Sequence, residues 1–96
     1  MDDSEMLDLA AKAMELQSDS NYQKWWRPLD DDGAAFRLMS RLRLDIAWQH
    51  ASGYVEVYRS SDIKFPSIME LFVGNVDAAT RRAIVRAAAE IGKSLK

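Results

Sequence analysis

Met6, Leu7, Ala10, Ala11, Met14 and Leu16 recur near helical spacing, so Asp3 to about Gln17 is expected to form an amphipathic helix. Asp2 or Asp3 can accept hydrogen bonds from the unpaired amides of its first turn, and Glu5 adds favourable negative charge there. Lys12, Glu15 and Asp8 fall towards water. The polar run Ser18-Asp19-Ser20-Asn21 ends the pattern, because such side chains compete for backbone hydrogen bonds.

An aromatic connector follows, Tyr22-Gln23-Lys24-Trp25-Trp26-Arg27-Pro28-Leu29. Pro28 biases Arg27 away from helical angles, so no helix is expected to run through it. A second helix is placed from about Asp30 to Arg43, capped by Asp30, Asp31 or Asp32. Its inward stripe is Ala35, Leu38, Met39 and Leu42 with Phe36 beside it. Arg37 and Arg41, four residues apart, share an outward face.

The period then changes from helical to alternating. Leu44, Ile46 and Trp48 alternate with Asp45, Ala47 and Gln49, and Tyr54 to Tyr58 alternates again after a Ser52-Gly53 turn. These runs predict an antiparallel hairpin. Beyond a polar loop, Ile68 to Val73 is the third strand candidate, although its continuous apolar character also suits a short helix. Asp77 is expected to cap a final helix reaching about Ser94, with Ala83, Ile84, Ala87, Ala88, Ile91 and Leu95 as its apolar face.

The predicted order, helix-helix-strand-strand-strand-helix, gives an α+β fold. A three-stranded antiparallel meander packed on one side by three helices satisfies it with short connections. The other sheet face would carry Tyr54, Glu56 and Tyr58.

Composition narrows the function classes. Ninety-six residues suit a single domain over 1–96, and the 48% apolar content allows one modest core. With no cysteine and His50 as the one histidine, disulfide frameworks, thiolate sites and histidine metal sites are not expected. No apolar run spans a bilayer, and the acidic start differs from a secretory signal. The expected setting is the cytoplasm, without membrane contact. The net charge of −2 is unevenly spread: residues 1–35 hold nine acids and three bases, residues 36–96 six acids and ten bases.

Catalytic and metal chemistry find little support. If Gly33 were the glycine of a calcium loop, Pro28 would occupy the first ligand position, and its side chain has no oxygen. Helix capping accounts for Asp30-Asp31-Asp32 instead. His50, Ser40 and Ser60-Ser61-Asp62 stand outside any nucleophile signature, and the four glycines form no phosphate loop. No enzyme activity, cofactor or metal is expected. Two sets of residues remain. Tyr22, Trp25, Trp26 and Arg27 are types favoured as interface anchors, with one tryptophan expected to fill the gap between the first two helices and the other to stand outside. Arg37, Arg41, Arg81, Arg82 and Arg86 could form one positive face if both of their helices pack on one side of the sheet, or could be solvated and balanced by acids, as in an Arg86–Glu90 pair.

Trp26-Arg27-Pro28-Leu29-Asp30-Asp31-Asp32-Gly33-Ala34-Ala35-Phe36-Arg37-Leu38 resembles a W-x-P-L-x-D-D-G-x-A-x-R-L pattern of a family of small tailed-bacteriophage and prophage proteins. The stretch Ala79 to Gly92 resembles the same family's C-terminal helix, and Leu7 to Ala13 its opening helix. Arg27 and Ala34 depart from the family, which often has Asn and Asp there. The resemblance implies a phage origin and transfers no activity.

The leading expectation is therefore a non-enzymatic phage accessory protein in the bacterial host cytoplasm. It would bind a host protein through Tyr22, Trp25, Trp26 and Arg27 and inhibit an antiviral defence such as CRISPR. The alternative is a binder of nucleic acid or a phosphorylated nucleotide through the five arginines. A homodimer through an open sheet face or free edge strand is a further expectation.

Overall fold

The alanine-rich C-terminal segment becomes the axis around which the other elements pack. A computed structural model describes residues 1–16, 21–72 and 74–95. Gln17 at the predicted end of the first helix, Ser18, Asp19 and Ser20 of the polar break, and Val73 at the end of the predicted third strand lie outside the described residues. The described elements run α1 (Asp3–Ala13), α2 (Tyr22–Trp25), α3 (Asp32–Leu42), β1 (Asp45–Gln49), β2 (Tyr54–Tyr58), β3 (Ile68–Leu71) and α4 (Val76–Ser94). The predicted α+β meander is present. The added element is the one-turn α2, inside the segment read as a connector.

The strands pair antiparallel in the order β1-β2-β3. Ile46 and Ile68 both lie opposite Val57, and Trp48 and Glu70 opposite Val55, so these side chains share one face of the sheet. α4 covers that face, where Val55 and Val57 are fully buried. The other face holds Ala47, Tyr54, Glu56, Tyr58, Met69 and Leu71, on the side away from α4, the helix that packs most on the sheet among the described residues. Met69 and Leu71 are exposed there.

α4 also supports α1 and α3, which explains why its burial exceeds one stripe. Ala79, Ala83, Ile84, Val85, Ala87, Ala88, Ala89 and Gly92 are all buried. The expected apolar face holds as far as Ile91, which packs partly buried against the core, and is corrected at Leu95, which is exposed. Small residues also form the facing side of α1, where Ala10 and Ala11 are fully buried. At Gly92 the approach is closest, because a Cβ there would overlap the carbonyl group of Leu9. Glycine is therefore required by space, not by backbone angle.

The helix ends follow identifiable capping chemistry. Asp2 caps α1 by accepting from the Glu5 amide at 2.8 Å, and Asp31 caps α3 by accepting from the Gly33 amide at 3.1 Å. At α4 the cap is Asn75, whose side chain accepts from the Ala78 amide, and the predicted cap Asp77 sits in the first turn. α1 stops at Ala13, short of the predicted end. Glu15 is left-handed at φ 59°, and the Leu16 amide reaches the Ala11 carbonyl at 2.9 Å. α3 ends in the same way, with Arg43 at φ 56° and the Leu44 amide on the Met39 carbonyl at 3.0 Å. Both are Schellman closures made without the usual glycine at the left-handed position.

Two stability predictions follow from this packing. Gly92→Ala should destabilise by roughly 2–3 kcal/mol through overpacking, although helix propensity alone favours alanine by about 1 kcal/mol. Arg43→Gly should raise the thermal midpoint by relieving a left-handed side chain, a gain of about 0.5–1 kcal/mol. Thermal denaturation followed by circular dichroism measures both.

Candidate functional site

The aromatic connector is built around two inward rings. Tyr22 and Trp26 lie one helical turn apart and are both buried, their rings meeting edge-to-face with centroids 6.1 Å apart. The Tyr22 hydroxyl donates to Asp8 of α1 at 2.7 Å, which fastens α2 to the first helix. That bond to a carboxylate, together with burial, raises the Tyr22 hydroxyl above the ordinary tyrosine range. Both residues expected at an interface, Tyr22 and Trp26, are thus largely turned to the core. Pro28 behind them is also fully buried. Arg27 is exposed and pairs with Asp30 at 3.3 Å.

Trp25 lies on the other flank of α2 and is 57% exposed. The division expected of the tryptophan pair is thus the one observed. Nearby, α3 buries Ala34, Ala35, Leu38 and Leu42, which turns Phe36 outward, 60% exposed. The placement of Phe36 beside the inward stripe is corrected. On the far side of α3, Trp48 shares the inward sheet face with Ile46 but is still 46% exposed. Its indole N–H donates to the Thr80 hydroxyl at 2.9 Å, and that hydroxyl donates to the Val76 carbonyl at 2.8 Å.

Two shallow grooves separate these aromatics. One, of about 340 Å³, lies between α3, β1 and the start of α4, with Phe36, Met39, Ile46 and Trp48 among its walls and Asp32, Asp77 and His50 at its edge. The other, of about 290 Å³, lies between α2 and α3 and is lined by Trp25, Trp26, Phe36, Arg37 and Arg41 among others. Phe36 is the ridge common to both. Phe36 and Trp48 were not singled out as site residues in the sequence. The signal for Phe36 was available, since it falls off the direction shared by Ala35, Leu38 and Leu42. For Trp48 none was, because alternation gives a face but not where the covering helix begins.

The five candidate arginines do not form one positive face. Arg37 and Arg41 line the second groove. Arg81 donates through Nε to the Leu29 carbonyl at 2.8 Å and through Nη1 to Asp32 at 2.6 Å. Arg82 pairs with Asp3 at 3.0 Å and lies 4.0 Å from Glu70. Arg86 donates to the Met69 carbonyl at 2.9 Å and pairs with Glu70. The expected Arg86–Glu90 pair is replaced by this cross-element one, and Glu90 pairs with Lys93 at 3.2 Å. Each of Arg81, Arg82 and Arg86 is thus already paired with a carboxylate, which lowers the positive potential that a phosphate would meet there.

The acids at the start of α3 are engaged locally: Asp30 with Arg27, Asp31 as the cap, and Asp32 with Arg81. Among the described residues no group of three His, Cys, Asp or Glu side chains is arranged to hold a metal. No described helix is long and apolar enough to cross a membrane. No family model, curated protein or solved structure matches the chain.

Tyr22→Phe tests the fastening of α2. Losing the bond to Asp8 should cost about 1 kcal/mol near neutral pH. A hydroxyl whose folded pKa is raised contributes stability below the ordinary tyrosine value and loses it as pH rises through the raised one. The gap between wild type and variant should therefore close in alkali, as read from denaturant midpoints across a pH series.

Proposed function

We propose that this chain is a non-enzymatic protein-binding domain whose contact surface is the outer side of α3 with the aromatics that flank it. One observation carries the reading. Trp25, Phe36 and Trp48 are all substantially exposed, and two apolar grooves separated by the Phe36 ridge lie between them. Large aromatics left in water offer apolar area at low side-chain entropy cost, which is why they serve as anchors in protein contacts. Arg37 and Arg41 at the rim add donors that suit a carboxylate or backbone carbonyl on the partner.

The proposed partner is a bacterial host protein acting in antiviral defence, such as a CRISPR component. This part of the reading rests on the phage resemblance of residues 26–38 and 79–92, not on geometry. Relative to the sequence expectation the contact surface moves: Trp25 stays in it, Tyr22 and Trp26 become its support, Arg27, paired with Asp30 and in neither groove wall, leaves it, and Phe36 and Trp48 join.

Plating of phage on a CRISPR-immune host expressing the chain, paired with affinity capture from the same cells, tests both levels. Wild type should restore plating and recover a CRISPR component. Phe36→Glu and Trp25→Ala should each lose both while remaining folded, and Ile63→Ser, in the distant loop after β2, should lose neither. Unchanged immunity with no specific partner recovered counts against the proposal. Restoration that survives Phe36→Glu would remove α3 from it.

A further inference from the structure

The outer side of α3 carries opposite charge on its two flanks. Asp32 and Asp77 border the groove on one side of Phe36, where Arg81 also lines the wall and pairs with Asp32, so that Asp77 is the unpaired charge there, and Arg37 and Arg41 border the groove on the other. Among the described residues, Arg37, Arg41 and Asp77 are in no ion pair, while Asp32 shares Arg81. Along the helix, Asp30, Asp31 and Asp32 stand at its start, Arg37 at its middle, and Arg41 and Arg43 at its end.

A surface that is apolar at its centre and oppositely charged on its flanks is complementary to itself. We propose that a second copy of this chain covers this face, docked about a two-fold axis close to Phe36. The α3 helices cross so that the arginine-lined groove of each copy meets the acid-bordered groove of the other. Such an interface is isologous, the arrangement most common in closed homodimers. The two Phe36 rings and Trp25 and Trp48 form its apolar centre. Arg37 and Arg41 of one copy gain Asp77 and Asp32 of the other, and like charges stay apart.

Other occupants fit the charges less well. A nucleic acid lying along α3 would meet Asp32 and Asp77 as well as the arginines. The open sheet face, with Met69 and Leu71 exposed, carries Glu56 and Asp45, and the three strands hold no Lys or Arg to face them in a second copy. The pair uses the same surface as the proposed host contact without depending on it, so one occupant excludes the other. The dimer is then a form in which the aromatic ridge is covered until a partner displaces the second copy.

Sedimentation velocity of the full chain over a dilution series, at low and high salt, provides the test. The expected result is a reversible monomer–dimer equilibrium that weakens as salt rises. Phe36→Glu should weaken it at least about thirtyfold, the scale of a central hot spot. Arg37→Glu with Arg41→Glu should leave a monomer, as should Asp32→Lys with Asp77→Lys. An equimolar mixture of the two charge-reversed proteins should sediment as a dimer again. Asp77→Lys alone replaces the second variant if circular dichroism shows that losing the Asp32–Arg81 pair loosens α3. A wild type that is monomeric at every concentration overturns the proposal, and leaves the host contact to be judged by its own capture and plating result. A dimer indifferent to Phe36→Glu but broken by Leu71→Glu would overturn it in favour of the sheet face.

Discussion

The close seam between α1 and α4 is the contact on which the rest of the structure depends. α4 lies between the sheet and α1 and also carries α3, so it must be narrow as well as apolar. Alanines let both neighbouring layers approach its backbone, and at Gly92 even a methyl group would strike the Leu9 carbonyl. Dispersion and the hydrophobic effect both reward that proximity, because small buried side chains leave few voids between elements. If α1 stood further away, Met6, Ala10 and Ala11 would lose their enclosure, and so would the inner surface of α4.

The arginines of α4 fasten the layers that the seam brings together. Arg82 reaches Asp3 of α1, Arg86 reaches Glu70 of β3, and Arg81 reaches Asp32 and the Leu29 carbonyl at the start of α3. The uneven charge along the chain is therefore satisfied in part within the molecule: an acidic N-terminal third meets a basic C-terminal helix. Each pair is partly open to solvent, so its role is more to fix the relative positions of elements than to supply a large stabilisation. Among the described residues, Arg37 and Arg41 beside the aromatic ridge are two of the bases that stand outside ion pairs.

That ridge follows from the same arrangement. α3 has a narrow inward side of Ala34, Ala35, Leu38 and Leu42, and leaning on α4 leaves Phe36 outside. Tyr22 and Trp26 turn inward from the two ends of α2, with Tyr22 bonded to Asp8 of α1, and Trp25 between them in sequence stays at the surface. Exposure of the one tryptophan is thus linked to enclosure of the other.

Local chemistry in the chain determined the element order, the strand alternation at Val55 and Val57, the hairpin at Ser52-Gly53 and acidic caps at Asp2 or Asp3 and among Asp30, Asp31 and Asp32, of which the structure uses Asp2 and Asp31. Each depends on groups a few residues apart, where periodicity and hydrogen-bonding capacity suffice. Residues distant in sequence decided the remainder. Whether Arg86 pairs with Glu90 or Glu70 depends on where β3 lies, and whether Trp48 is covered depends on where α4 begins. The Schellman closures at Glu15 and Arg43 were hidden because tertiary packing of Leu16 and Leu44 offsets a left-handed cost that local propensity counts against them. A sequence pattern gives the direction in which a side chain points, but only the assembled layers decide what, if anything, stands in front of it.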